Sequence, residues 1–142
     1  MMTKVKDATT EVVTEPAWLN YNRFMQESSA SADPAQYYDD CFAAVRQLGV
    51  EVETLAATLR QLVSEDNHLS ENTSMWLLGD LDLIDQQVGA ADDLINKATG
   101  CQRGVRRGIR PESMQSSLAQ AYRHLQQTRQ ELIKVQERLG RR

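Results

Sequence analysis

The chain of 142 residues is 41% hydrophobic and 25% charged, and only seven glycines and three prolines interrupt it. This is the composition of a globular domain, and it excludes collagen-like and intrinsically disordered chains. No run reaches the roughly 18 to 20 apolar residues that span a bilayer. Residues 1–14 are polar and lack the apolar segment of a secretory signal. The two cysteines have no CxxC spacing, so we expect a cytoplasmic protein of a bacterial-type cytosol, with reduced thiols and no membrane partner.

Charge is divided unevenly along the chain. Residues 1–96 contain 5 Lys or Arg against 17 Asp or Glu, whereas residues 97–142 contain 11 Lys or Arg against 3 Glu. The two segments therefore carry net charges of −12 and +8, which add up to the −4 of the whole chain. This division fits a basic patch for an acidic partner, and it also fits acidic and basic helices of the chain lying side by side. We favour the second interpretation because a compact fold brings these segments together in any case.

The first predicted element is a short helix over residues 16–27, which follows a flexible tail formed by residues 1–14. Pro16 opens it, because the fixed φ and missing N–H of proline suit a first helical turn. Its apolar face either packs on the rest of the molecule or forms a detachable helix that enters a groove of a partner. The side chains of this candidate partner-binding site are Trp18, Tyr21, Phe24 and Met25.

Three longer segments carry apolar residues at alternating spacings of three and four, the heptad pattern of packed helices. They cover residues 34–64, 71–99 and 111–139, and the first and third open with a proline. In the first segment the repeat comprises Tyr38, Cys41, Val45, Leu48, Val52, Leu55, Leu59 and Leu62, and its apolar stripe is widened by Phe42, Gly49, Ala56 and Val63. In the second segment the repeat comprises Leu77, Leu81, Ile84, Val88, Ala91, Ile95 and Ala98. In the third segment it comprises Met114, Leu118, Ala121, Leu125, Thr128, Leu132, Val135 and Leu139.

The predicted fold is all-α: an antiparallel bundle of three long heptad-patterned helices plus the short N-terminal helix, in one domain over residues 15–142. Matched lengths and short connections favour up-down-up packing, with residues of the second and third long helices level where their numbers add up to roughly 210 to 215. In that register Asp85 and Arg129 are expected to form an ion pair.

An arginine-rich segment connects the second and third long helices. Gly100 is placed just past the end of the second helix, which is the usual position of a helix-terminating glycine. Residues 101–110 are then a loop in which two glycines free the backbone and four guanidinium groups reach outward, a geometry that suits phosphates or carboxylates. This second candidate partner-binding site comprises Arg103, Arg106, Arg107 and Arg110.

Motifs of catalysis are missing from the sequence. It contains no phosphate-binding loop, no GxSxG, no HExxH and no EF-hand pattern. Asp80, Asp82 and Asp85 are read as a solvated acidic face, since residues two apart on a helix point to different sides. Cys41 falls in the apolar repeat and is interpreted as a core residue. We therefore expect no enzyme, no metal site and no cofactor.

The function that these features favour is a non-catalytic protein–protein interaction module, an adaptor, regulator or chaperone that acts through surfaces of the bundle. Its partner is another protein, and a homodimer stays open. The first alternative is a nucleic-acid-associated regulator that uses the arginine loop, although no aromatic residue accompanies those arginines for base stacking. The second alternative is a structural coiled-coil oligomer.

Overall fold

The fold is an all-α bundle, as the sequence predicts. A computed structural model describes residues 15–66, 68–106 and 111–140, and within these ranges it contains helices and no strand. The helices are a 3₁₀ turn at Ala17–Leu19, α1 at Tyr21–Ala30, α2 at Pro34–Glu65, α3 at Glu71–Arg106 and α4 at Glu112–Gly140. The tail over residues 1–14 lies outside the described residues. None of the described helices is long and apolar enough to cross a membrane.

Side-chain caps fix where three of the helices begin. The side chain of Asn20 accepts a hydrogen bond from the backbone N–H of Arg23 at 3.1 Å, and that of Asp33 accepts one from Gln36 at 3.2 Å. The hydroxyl of Ser70 accepts from the backbone N–H of Thr73 at 3.1 Å. Each cap satisfies a backbone donor that has no partner inside its own helix.

The three long helices pack against one another in antiparallel order, and α3 and α4 share the most extensive contact. The register of α3 and α4 brings the side-chain oxygen of Gln87 within 3.0 Å of the hydroxyl of Thr128 on α4. The numbers of these two residues add up to 215, within the predicted register. The same hydroxyl is 2.8 Å from the backbone oxygen of His124, so its one proton has two acceptors within reach and this buried polar group has a partner.

Core positions on α3 and α4 follow the predicted heptads, whereas those on α2 drift away from them. Near the end of α2 the buried side chains are Ala56, Leu59 and Val63, while Leu55 is half-buried and Leu62 is 50% exposed. A straight α-helix has 3.6 residues per turn. A stripe of side chains that repeats every 3.5 residues therefore moves around the helix by about 20° per heptad, away from the neighbouring helices. The prediction that Leu55 and Leu62 lie in the core is therefore wrong for Leu62 and only partly met for Leu55.

The predicted end of α3 at Gly100 is also wrong, because the helix continues to Arg106. Cys101 and Val105 extend its apolar repeat beyond Ala98, and both pack against the core. Burial of these side chains outweighs the cost of about 1 kcal/mol for a glycine inside a helix.

Candidate interaction surface

The structure buries most of the N-terminal aromatic face that the sequence singles out. Phe24 is 0% exposed and stacks on Tyr38 of α2, with ring centroids 5.5 Å apart. Trp18 is 7% exposed and meets Tyr122 of α4 edge-on at 5.5 Å. Tyr21 and Met25 are half-buried and pack against the same core. We call these four side chains the aromatic cap; its use as a detachable partner-binding helix stays a prediction.

Hydrogen bonds from α4 hold the backbone of the aromatic cap. The side-chain amide of the buried Gln115 donates to the carbonyl oxygens of Trp18 at 3.0 Å and Leu19 at 3.1 Å. The guanidinium of Arg123 donates to the Leu19 oxygen at 3.4 Å. These bonds satisfy carbonyls that the short 3₁₀ turn leaves without partners.

Two titratable groups beside the aromatic cap are protonated at neutral pH. Burial, and then hydrogen bonding to Glu27, raise the pKa of Tyr37 well above its ordinary value, and its hydroxyl donates to the Glu27 carboxylate at 2.7 Å. Burial, followed by the charges of Asp40 and Glu27, raises the pKa of Cys41 from 9.0 to about 12. Cys41 is 2% exposed, and a buried thiol that stays protonated is a poor nucleophile.

The structure places two of the four candidate arginines on α3. Arg103 is exposed in the last turns of α3, and Arg106 is the final residue of that helix. Arg107 and Arg110 lie outside the described residues. The prediction of a loop beginning at residue 101 is wrong for residues 101–106, because their apolar members pack on the core as part of α3.

Exposed apolar side chains concentrate on α3, on the side of this helix that faces away from the core of the bundle. Trp76 is 75% exposed, Met75 65% and Leu83 57%. Trp76 and Leu83 belong to a row of exposed residues at spacings of 4, 3, 4 and 3, turned by roughly 150° from the buried residues of the same helix, and Met75 lies next to this row. We call this row the outer face of α3, and its members are Asn72, Trp76, Gly79, Leu83 and Gln86.

Two adjoining depressions border the outer face of α3 where it meets α4. One, of about 340 Å³, is lined by Trp76 together with Leu69, Leu77 and Leu139. The other, of about 280 Å³, is lined by Leu83, Ile84 and Val135 among others. Arg138 lines both depressions and forms an ion pair with Asp80 at 3.4 Å. Apolar side chains thus stand beside concave surface, which is the usual make-up of a binding site for another macromolecule.

Three carboxylates of α3 have cationic partners, on both sides of the outer face. Arg60 of α2 contacts Asp82 at 3.0 Å and Asp85 at 2.8 Å, while Asp80 contacts Arg138 of α4. The expected pair between Asp85 and Arg129 is therefore wrong, since Asp85 faces α2. In the part of the chain that the structure describes, no group of three or more His, Cys, Asp or Glu side chains could hold a metal ion.

Sequence reasoning missed the outer face of α3, although a signal for it existed. Once Leu77, Leu81 and Ile84 are assigned to the core, Trp76 and Leu83 each fall one position outside it. Both then recur at a heptad spacing of their own. Large apolar residues that repeat on the solvent side of a helix indicate a second packing surface.

Comparison with known proteins adds no relative to this description. No family model matches the chain, and no curated protein or solved structure matches it.

Proposed function

We propose that the protein is a non-catalytic interaction module and that the outer face of α3 binds another polypeptide. The observation that carries this proposal is Trp76, a tryptophan 75% exposed on a rigid helix between a second exposed apolar side chain and a concave surface. Tryptophan is the residue type most enriched among those that contribute most to binding at protein interfaces.

Exposure of the outer face of α3 does not stabilise the isolated bundle. Scattered apolar side chains are normal on protein surfaces, but a contiguous patch beside a groove marks an interaction site. Trp76 and Leu83 lie seven residues apart, two helical turns or about 10.5 Å, on the same side of α3. A partner that covers both side chains removes their apolar surface from water, which favours association.

The position of the face on a helix also supports the proposal. The side chains project from the N-terminal half of a 36-residue helix that packs against both α2 and α4. A binding surface on such an element is ordered before the partner arrives, so association loses little conformational entropy.

Photo-cross-linking in the native host tests the proposal. A photoreactive amino acid at position 83 is expected to cross-link the protein to a defined polypeptide, whether a second copy or a different protein. The matched control carries the same amino acid at Ala57, an exposed position of α2 away from the outer face. If position 83 gives no more cross-linked product than position 57, the outer face of α3 is not a binding surface.

A further inference from the structure

We infer that the polypeptide that binds the outer face of α3 is a second copy of this chain, with the two α3 helices antiparallel about a two-fold axis at Gly79. This inference rests on the proposed function, because it names the partner of the same surface.

The chemical order of the outer face reads the same in both directions. From Gly79 the next members are apolar on each side, Trp76 and Leu83, and the members beyond them are the amides Asn72 and Gln86. A two-fold interface requires such self-complementarity, since residue i contacts residue j of the second copy and j contacts i. In an antiparallel arrangement Trp76 faces Leu83 of the second copy, and Asn72 faces Gln86.

The same arrangement gives each tryptophan a receiving surface. Leu83 borders the depression of about 280 Å³, which Ile84 and Val135 line together with Asp80, Gln87, Glu131, Lys134 and Arg138. Trp76 of one copy thus stands opposite this depression in the other, and the two-fold axis repeats the contact. A tryptophan suits a depression of mixed lining, because it offers an apolar ring and an indole N–H that donates a hydrogen bond.

Gly79 lets the two helices approach closely. A Cβ atom built on Gly79 meets no atom within 4 Å, so nothing inside the bundle requires glycine there. Glycine in a helix interior costs about 1 kcal/mol relative to alanine. At a crossing point its missing side chain allows backbone-to-backbone contact with the second helix.

The charges beside the outer face are largely paired within each copy. None of the five members of the outer face is charged. Of the carboxylates that flank it, Asp80 pairs with Arg138, whereas Asp82 and Asp85 share Arg60. One excess negative charge therefore remains beside the face in each copy, and salt at physiological concentration screens the repulsion between exposed charges of this kind.

The apolar area of the outer face fits a small interface. Trp76 is 75% exposed and so presents about 110–190 Å², if a tryptophan contributes about 150–250 Å² when fully buried. Leu83 is 57% exposed and adds to this area. A standard interface covers about 800 Å² on each partner, so the outer face of α3 corresponds to the lower end of interface sizes.

Sedimentation equilibrium of the purified full chain tests the inference. The wild type is expected to be a dimer at micromolar concentration, and Gly79→Arg is expected to raise the dimer dissociation constant by at least about tenfold, because the two arginines meet at the axis. The Gly79→Arg monomer should still fold, since the space around this position is open. Gly100→Arg is the matched control: it lies on the same helix with equally open surroundings, about 31 Å from the axis, and should leave the dimer intact.

Disulfide trapping locates the axis. In a Cys101→Ser background, Gly79→Cys is expected to give a disulfide-linked dimer on mild oxidation, and Gly100→Cys is expected to stay monomeric under denaturing conditions. A monomeric wild type, or a dimer that Gly79→Arg does not weaken, overturns the inference. Either result leaves the interaction function standing if position 83 cross-links to a different polypeptide, and that function fails only if no polypeptide is cross-linked there.

Discussion

The two tryptophans of the chain lie in opposite environments. Trp18 is enclosed between the N-terminal segment and α4, where its backbone carbonyl accepts a hydrogen bond from Gln115. Trp76 stands on the outer face of α3 with three quarters of its surface in solvent. Residue type alone does not distinguish them, but the surrounding pattern does. Trp18 precedes a helix too short to be stable without packing, whereas Trp76 projects from a helix whose other side already supplies the core.

The largest expected effect is a difference in the free energy of unfolding between a variant of the aromatic cap and a variant of the outer face of α3. Phe24→Ala in the aromatic cap is expected to lower the free energy of unfolding by about 3–5 kcal/mol, because it leaves a cavity at a fully buried site. Trp76→Ala, measured in dilute protein, should change it by no more than about 0.5 kcal/mol. Urea unfolding followed by circular dichroism provides both values. Similar losses in the two variants would show that the outer face of α3 is part of the core.

A second prediction concerns the attachment of the aromatic cap to α4. Gln115→Ala removes a donor from two carbonyl oxygens, those of Trp18 and Leu19, and the Leu19 oxygen keeps its bond from Arg123. Loss of the Gln115 bond to the Trp18 oxygen is expected to cost about 1–3 kcal/mol in the free energy of unfolding, because a buried acceptor loses its donor. Gln120→Ala, which removes an exposed bond to Ser116 on the same helix, serves as the control and should be nearly neutral. If both variants melt alike, the two carbonyls do not depend on Gln115.

The third prediction is a loss of stability at alkaline pH. The pKa of the Cys41 thiol is about 12 in the folded protein against 9.0 for the free group, so folding favours the protonated form. Stability from this group is therefore complete below pH 9 and declines as the pH rises towards 12. At about pH 10 the loss should be about 1.4 kcal/mol, since the unfolded thiol is then largely ionised.

Unfolding in urea at neutral and alkaline pH measures this decline. Cys41→Ala should be less stable than the wild type at neutral pH but should lose less on going to alkaline pH. Cys101→Ala, which changes the other thiol, should keep the wild-type dependence. The tyrosines contribute at still higher pH, because burial also raises the pKa values of Tyr37 and Tyr122. A dependence unchanged in Cys41→Ala would argue against burial of this thiol.

The smallest expected effect is a gain in stability within the aromatic cap. The buried hydroxyl of Tyr21 has no hydrogen-bond partner among the described residues. Removing it in Tyr21→Phe should raise the free energy of unfolding by up to about 1 kcal/mol, since a desolvated hydroxyl is lost and no bond is broken. Tyr37→Phe gives the opposite sign, because its hydroxyl donates to Glu27. Thermal melts of the two variants that shift in the same direction would contradict this assignment.

Much of the fold follows from the spacing of apolar residues alone. The errors of the sequence-based prediction have physical causes. The heptads of α3 and α4 predict their buried residues correctly, including Leu81 and Leu125. On α2 the departure of Leu62 from the core reflects helical rotation that a fixed 3,4 repeat ignores. At Gly100 a local stop signal is outweighed by burial of Cys101 and Val105.

The candidate site was less accessible to sequence reasoning. A search for clustered aromatic residues selects Trp18 and Phe24. Whether their amphipathic helix packs on its own bundle or on a partner depends on tertiary contacts, such as that between Phe24 and Tyr38. Trp76 stands alone in its segment, and its exposure becomes evident only after the core of α3 has been assigned. The arginines were grouped by proximity in sequence, and the continuation of α3 places Arg103 and Arg106 on a helix.

The bonds from Gln115 to the N-terminal segment join residues 97 and 96 positions apart in the chain. Contacts between α2, α3 and α4 close shorter loops, and the entropy lost on closing a loop grows with its length. We therefore expect the three long helices to associate first during folding, with the residues around Trp18 joining last. The same order governs spontaneous opening of the native protein: backbone amides of α1 should exchange their hydrogens with solvent through local detachment, while those of central α3 exchange only on global unfolding.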